Sequence, residues 1–399
     1  MTIRTADRMR RWQGPVLLSY GFRPFFLGGT VWAALAMALW ILTLTGVIAL
    51  PAAFDPVSWH AHAFLFGTLG AIIAGFLLTA VPNWTGRLPV TGWPLGALAL
   101  LWLAGRVMTT VTLGANWALV AAVDVAFPLT LAAMILREIM AGKNWRNLPV
   151  LILLAVFALA NGLFHLDAAQ GRFAAEGIGL RVGLGVAILM IALIGGRVVP
   201  SFTRNWLAAQ REPARPAPPM QRFDIVVLVL TVLCLGLWVA SPGGMVTGAA
   251  LLLVGVLHVV RLLRWRGWYT LSEPLVSVLH IGYAFVPLGA LALGFAGLRP
   301  DMLSLAAAQH LWMAGAIGMM TLAVMTRATL GHTGRKLRAG PETITIYVLL
   351  GLSVLARLLA DALPGLPLIE LAGIAWIGAF GGFAVIYGPM LLKAKPGKA

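Results

Sequence analysis

The sequence predicts an all-α, polytopic membrane protein with about 12 transmembrane helices. Hydrophobic residues make up 60% of the chain, the mean hydropathy is +0.91 and only 11% of the residues are charged. A water-soluble core cannot hide so much apolar surface. The formal net charge of +16 does not indicate nucleic acid, because the basic residues stand singly between apolar runs instead of forming a patch. The lipid bilayer is therefore the expected partner.

Apolar runs long enough to cross a bilayer occur twelve times along the chain. About 20 residues, each rising 1.5 Å, cover the roughly 30 Å of hydrocarbon. Proline and glycine clusters such as Ser241 to Gly244 separate neighbouring runs. The expected spans have approximate limits 25–49, 57–81, 92–113, 116–139, 147–166, 177–200, 224–241, 243–264, 271–297, 303–328, 342–360 and 366–392.

The distribution of Lys and Arg predicts the orientation. Basic residues concentrate on the cytoplasmic side of membrane proteins, and a cytoplasmic N-terminus puts all but five of the 29 on that side. We therefore expect both termini in the cytoplasm and no signal peptide. The five exceptions are Arg106, Arg172, Arg181, Arg299 and Arg357.

Two of the spans contain copies of one segment. His62 and His310 are each followed by a Gly five residues later and by a Thr-Gly-Arg sequence that ends 25 residues later. Residues 180–205 form a weaker third copy. The copies fall in spans two, six and ten, which run in the same direction. We therefore expect a single membrane domain, 1–399, built from three parallel four-helix repeats, with approximate limits 1–145, 146–268 and 269–399.

Four histidines at a similar depth indicate metal or haem ligation. His60 and His62 on span two, His165 on span five and His310 on span ten all lie in the outer third of their spans. A neutral imidazole is the commonest side-chain ligand of metals and of haem iron. His60 and His62 point roughly 200° apart on a regular helix, so one of them can ligate while the other bonds elsewhere.

Other polar residues inside the spans have a structural explanation as well as a functional one. His258 and His280, in the inner half, either form a separate metal site or make interhelical hydrogen bonds. Arg106 and Asp124 lie at similar distances from the turn between spans three and four, so a mutual ion pair is expected.

Two arginines near the outer ends of their spans are candidates for binding haem propionates. A guanidinium pairs well with a carboxylate, and Arg181 and Arg357 are placed for it. Equally, both can extend to the lipid interface. The methionines of span ten are expected to pack rather than to bind copper.

Five stretches of the chain, which together cover essentially its whole length, are Gly21 to Phe26, Trp59 to His62, Ala74 to Arg87, Gly195 to Leu207 and Gly315 to Arg335. These stretches resemble the NnrS family. The resemblance implies a bacterial inner-membrane protein that binds haem and copper and acts in the nitric oxide response, and so against nitrosative stress, in denitrifying and related bacteria. The chain departs from the family at Ala63, where a Glu is expected, which bears on proton handling or metal affinity.

With this resemblance, a haem b between His310 and either His60 or His62 is the expected cofactor. Copper is expected at His165 and the other histidine of span two. Whether nitric oxide is turned over, bound or sensed stays open, and no electron donor is indicated. The alternative is a transporter for a metal or small molecule with structural histidines, although intramembrane carboxylates are nearly lacking. The paired histidines that a haem-copper oxidase carries on span seven are absent from the sequence.

Overall fold

A computed structural model describes residues 12–112 and 114–394. Within these residues the chain is helical and contains no β-strand. Both chain ends, which are predicted to be cytoplasmic, lie outside them. The long helices are α1 (Phe22–Leu44), α2 (Pro56–Thr85), α3 (Trp93–Thr110), α4 (Trp117–Ala141), α5 (Leu148–Ala169), α6 (Ile178–Ala209), α7 (Arg222–Ala240), α8 (Met245–Leu263), α9 (Pro274–Leu298), α10 (Leu305–His332), α11 (Pro341–Leu359) and α12 (Leu368–Leu392).

Each predicted span corresponds to one of these helices, and the predicted fold class is confirmed. Eleven of the described helices are long and apolar enough to cross a membrane. Helix α3 falls outside that group because Arg106, Pro94 and two Trp lower the hydropathy of its 18 residues. Many large apolar side chains on the outer surfaces of the helices are exposed, as lipid-facing residues are.

Helix α6 is longer than predicted. It was expected to end near residue 200, before a flexible linker, but it continues to Ala209 with Pro200 inside it. Val199, Thr203 and Leu207 are all buried. This spacing of four residues gives the helix a continuous inward-facing stripe, which outweighs the single hydrogen bond that Pro200 removes.

Three of the described helices contain a π-helical segment, in which the chain makes a wider turn than an α-helix. The segments are Ala63–Thr68 in α2, Ile191–Gly195 in α6 and Leu311–Met319 in α10. In α2 and α10 the segment begins directly after His62 and His310. Such segments are frequent at functional sites. The arrangement of the whole chain as one domain with three repeats stays a prediction.

The described chain divides into two compact units. Unit 1 comprises the residues through Gly183, Ala328–Arg335 and the chain from Phe380 onwards, and unit 2 comprises Leu184–Arg327 and Lys336–Ala379. In unit 1 the buried Arg23 donates hydrogen bonds to the carbonyl oxygens of Leu391 and Lys393, at 2.6 and 2.9 Å. These carbonyls end helix α12, where a cation is favourable.

Candidate metal centre

The side chains of His62, Asp124 and His165 converge inside unit 1. The Nε2 atom of His62 lies 3.0 Å from Asp124 Oδ2, and Nε2 of His165 lies 3.1 Å from the same oxygen. Among the described residues, these three form the group whose possible ligand atoms all lie within 4.8 Å of one another. All three side chains are buried.

Two further polar residues complete this arrangement, which we call the His62 cluster (His62, Arg106, Asp124, Asn161 and His165). Arg106 donates to Asp124 Oδ1, and the ion pair expected from the sequence is confirmed. Asn161 donates to Asp124 Oδ2 at 2.9 Å, and its own Oδ1 lies 2.9 Å from His62 Nε2. The Asp124 carboxylate thus meets donors from helices α2, α3 and α5.

The start of helix α2 is fixed so that His62 points into the cluster. Asp55 caps the helix by accepting from the backbone N–H of Ser58 at 2.9 Å, and Pro56 follows at the first helical position. The Trp59 indole donates to Thr110 Oγ1 at 3.2 Å. These contacts tie the beginning of α2 to α3.

The π-helical segment after His62 is stabilised by tryptophans. A wide turn leaves carbonyl oxygens without their usual helical donors. The indole of Trp32 donates to the carbonyl of Ala63, and that of Trp102 to the carbonyl of Gly67, each at 3.0 Å. A side chain at Gly67 would place a Cβ only 2.6 Å from Arg106 Nη1. The absence of a side chain at Gly67 therefore leaves room for the Arg106 guanidinium in the cluster.

Aromatic rings enclose the two histidines. The ring of Phe54 lies 4.8 Å from that of His62 and 5.1 Å from that of His165, measured between centroids. Phe66 and Phe164 also contact the His62 ring. The apolar walls keep water away, which strengthens every electrostatic interaction in the cluster.

The donor set fits a transition metal. Two imidazoles and a carboxylate suit copper, zinc or iron. Because Nε2 of His62 faces two acceptors, its proton lies there in the metal-free protein, and the buried Nδ1 has no hydrogen-bond partner among the described residues. Pro128, which lacks an N–H, also leaves the Asp124 carbonyl without its usual helical donor.

His60 lies outside this group. Its ring stacks on Trp40 at a centroid distance of 4.5 Å and contacts Phe64 at 4.9 Å. Of the two span-two histidines, His62 is therefore the one that meets His165. The sequence analysis expects copper at His165 and the span-two histidine that the haem does not use, and the copper itself stays a prediction.

His310, in unit 2, has the geometry of an available ligand. Its Nδ1 lies 2.7 Å from the carbonyl oxygen of Ala306, and a carbonyl can only accept, so Nδ1 carries the ring proton. The lone pair is then on Nε2, as in most metal-binding histidines. Arg357 lies 3.3 Å from Asp361. The pairing of His310 with a span-two histidine stays a prediction.

The propionate roles of Arg181 and Arg357 also stay predictions. Arg181 donates to the carbonyl oxygen of Glu176 at 2.5 Å. Arg357 is only 17% exposed and pairs with Asp361. Arg181 lies near the start of α6 and Arg357 near the end of α11.

A second buried network lies in unit 2, and we call it the His258 cluster (Asp224, Thr231, His258, Arg261 and Tyr283). Arg261 donates to Asp224 Oδ1 at 2.8 Å, to Tyr283 Oη at 2.8 Å and to the carbonyl of Ala192, in the π-helical segment of α6, at 2.9 Å. A Cβ at Gly196 would lie 2.1 Å from Arg261 Nη2.

One tautomer of His258, with the ring proton on Nε2, satisfies every group along this network. Arg261 only donates, so the Tyr283 hydroxyl accepts from it and, with this tautomer, donates to His258 Nδ1, at 2.9 Å. Thr231 donates to the Val227 carbonyl at 2.7 Å and accepts from His258 Nε2–H at 2.9 Å. Both ring nitrogens of His258 are thus engaged.

His280 makes a similar interhelical bond. Its Nε2 lies 2.7 Å from Thr203 Oγ1, and Thr203 donates to the Val199 carbonyl at 2.9 Å. The hydrogen-bonding alternative foreseen for His258 and His280 therefore has observed partners. A metal at these two residues stays a prediction.

Sequence reasoning missed Asn161 and Tyr283. Asn161 lies four residues before His165 on α5, so both share a helix face, and that spacing was a signal in the sequence. Tyr283 lies three residues after His280 on α9, but its partners His258 and Arg261 lie on another helix, so spacing did not indicate their contact.

Comparison with known families gives one result that covers nearly the whole described chain. The sequence profile described as NnrS protein matches residues 16–395. No curated protein matches the chain. The matched region contains all the helices and both clusters. The chain belongs to the NnrS family.

Proposed function

We propose that this protein binds nitric oxide at a membrane-embedded copper centre and so protects against nitrosative stress. Membership of the NnrS family suggests a role in the nitric oxide response. The observation that carries the proposal is the convergence of His62, His165 and Asp124 in a buried, aromatic-lined site. A bound copper ion supplies a coordination position and one-electron redox chemistry to a diatomic ligand.

The protein's own residues define how such a site works. His62, His165 and Asp124 would hold the ion, while Arg106 balances the carboxylate charge and Asn161 orients both His62 and Asp124. The surrounding phenylalanines exclude water. Nitric oxide is small, uncharged and soluble in the membrane, so it reaches the site without a charged channel.

A haem b ligated by His310 is the second part of the proposal. His310 supports it because its Nδ1 is held by a backbone carbonyl and its Nε2 lone pair is available. The predicted second axial ligand is a span-two histidine, and Arg357 or Arg181 would bind the propionates. The bacterial inner membrane, with cytoplasmic termini, is the proposed location. A reporter inserted within residues 212–219 is expected on the cytoplasmic side.

The test uses the purified full-length protein loaded with copper and haem. We expect a Soret band, one copper per chain, and a change in the absorption and electron paramagnetic resonance spectra when nitric oxide is added. His62→Ala should remove copper and retain the haem, whereas His310→Ala should abolish or convert the Soret band and retain the copper. His332→Ala is a control for the loss of an imidazole, because His332 stacks on Tyr20 at 5.7 Å and is not among the proposed ligands.

Two outcomes would overturn the proposal. One is the absence of any spectral response to nitric oxide together with unchanged growth of a deletion strain under nitric oxide. The other is a change in cellular metal content on deletion without a nitric oxide response, which would favour the transporter alternative.

A further inference from the structure

A small cavity borders the His62 cluster within unit 1. It lies between α2, α4 and α5, and its wall includes Phe66, Gly70, Phe127 and Phe157. Asp124 and Asn161 form its polar end. The cavity leaves about 10 Å³ for the centre of a water-sized molecule, which is room for about one such molecule. A haem does not fit there.

The polar end of the cavity is poorly suited to water. Asn161 and Asp124 already engage their side-chain atoms with each other, with His62, with His165 and with Arg106. The groups that remain nearby are the second amide hydrogen of Asn161 and the Asp124 carbonyl, which Pro128 leaves without a helical donor. A buried water typically makes about three hydrogen bonds, and these two groups provide two. A molecule that needs fewer hydrogen bonds is therefore favoured.

We infer that this cavity is a binding site for one small, uncharged, weakly polar gas molecule held next to the metal ligands. Asp124 and Asn161 belong both to the cavity wall and to the His62 cluster, so a molecule in the cavity lies beside the groups that would hold the metal. The identification of that gas with nitric oxide rests on the proposed function. The inference that a gas-binding site exists rests on the cavity and its lining, independently of the proposed function.

Gly70 sets the free volume of this site. A Cβ built there would meet Phe127 at 3.7 Å and Phe157 at 4.0 Å, which are ordinary contacts. Gly70→Ala should therefore fold and fill part of the cavity. Leu154, which also lines it, gives the opposite change, because Leu154→Ala enlarges the cavity.

The experiment compares Gly70→Ala with Gly162→Ala in the full-length protein. Gly162 lies on α5 beside Asn161, and a Cβ there meets nothing within 4 Å, so it controls for the change from Gly to Ala in a helix. We expect Gly70→Ala to weaken nitric oxide binding at least about 10-fold, since a single methylene in a pocket changes selectivity by about that factor or more. Leu154→Ala should speed association, and Gly162→Ala should change neither property. Copper content should stay at the wild-type level in all three.

A metal-free measurement separates this inference from the proposed function. Crystals of the metal-free protein pressurised with krypton should show the gas in the cavity of the wild type and of Gly162→Ala, and should lose it in Gly70→Ala. Unchanged nitric oxide binding in Gly70→Ala and Leu154→Ala, or no krypton in the wild-type cavity, would overturn the inference. Krypton in the cavity of a protein that gives no nitric oxide response would instead overturn the proposed function and leave the gas site standing.

Discussion

The His62 and His258 clusters contain similar residues but differ in whether every ring nitrogen of their histidines makes a hydrogen bond. Each has a buried Arg–Asp pair, with Arg106 2% exposed and Arg261 0%, and in each the guanidinium lies against a glycine near a π-helical segment. In the His258 cluster, both nitrogens of His258 are engaged by hydroxyl groups. In the His62 cluster, two imidazoles share one carboxylate, and within the described part of the chain His62 Nδ1 has no hydrogen-bond partner.

The comparison indicates that a buried intramembrane histidine is a candidate metal ligand when other possible metal ligands lie next to its ring. His258 meets hydroxyl groups, which complete its hydrogen bonding and leave no lone pair. His62 lies next to Asp124 and His165, and the possible ligand atoms of the three residues are close enough to bind one cation. The two clusters therefore respond differently to the same kinds of substitution.

The largest expected effect is the loss of one charge of a buried pair. Asp124→Asn or Asp224→Asn leaves Arg106 or Arg261 without its counter-charge, and breaking a buried pair in this way costs about 3–5 kcal/mol. Thermal unfolding in detergent measures it. Adding Arg106→Met to Asp124→Asn should recover most of the stability but not the copper. A single variant as stable as the wild type would show that the guanidinium finds another partner.

Loss of a histidine is expected to reduce copper binding in the His62 cluster but not in the His258 cluster. His165→Ala should lower the copper content to background, because it removes one of three converging ligands. His258→Ala should leave it at the wild-type level while lowering the unfolding temperature. Metal analysis of the purified proteins checks both. Equal copper loss in the two variants would contradict the distinction between the clusters.

Substitution of the hydrogen-bonding neighbours should give smaller changes of different kinds. Asn161→Ala removes a group that orients both Asp124 and His62, and loss of such a group weakens metal affinity by about 10–100-fold. Tyr283→Phe removes the hydroxyl between Arg261 and His258 and should cost about 1–3 kcal/mol of stability without changing copper affinity. Competition with a chelator measures the first effect and thermal unfolding the second.

The glycines beside the two arginines should be intolerant of a methyl group. Gly67→Ala and Gly196→Ala would each force a guanidinium to move, because their Cβ atoms would lie 2.6 and 2.1 Å from it. Such overpacking costs about 1–3 kcal/mol. Only Gly67→Ala should also reduce copper affinity. Unfolding temperatures as high as those of Gly162→Ala would show that both arginines can relax.

Loss of a partly exposed ion pair should have the smallest effect on stability. Arg87 lies 2.6 Å from Glu138, but its side chain is 43% exposed and Arg137 contacts the same carboxylate at 2.8 Å. Arg87→Ala should therefore lower the stability by less than about 1 kcal/mol. A loss of stability as large as that of Asp124→Asn, measured by thermal unfolding, would show that the burial of an ion pair does not determine how much stability is lost when the pair is broken.

The helices could be predicted from the sequence because each is a long apolar run between breakers. The continuation of α6 past Pro200 could not, since it depends on the burial of Thr203 and Leu207 against neighbouring helices. The π-helical segments were equally hidden, although the position of His62 and His310 in repeated segments marked where two of them begin.

The candidate site was partly predictable for the same reason. Depth along the spans brought His62 and His165 into one group, and the equal offsets of Arg106 and Asp124 from a turn indicated their pair. The convergence of all four could not be read from spacing, because it depends on the rotation of α2, α4 and α5 about their axes. Rotation also decides that His62, and not His60, meets His165.

The two ends of the hydrogen-bonded chain in the His258 cluster bear on the electrical insulation of the bilayer. Proton conduction through a hydrogen-bonded chain needs a member at each end that can take up or release a proton. Here the chain starts at Arg261, and an arginine does not deprotonate in proteins, while it ends at the Val227 carbonyl, which does not pass a proton on. The protein can therefore keep several polar groups inside the membrane without leaking protons through them and without dissipating the gradient that the membrane maintains.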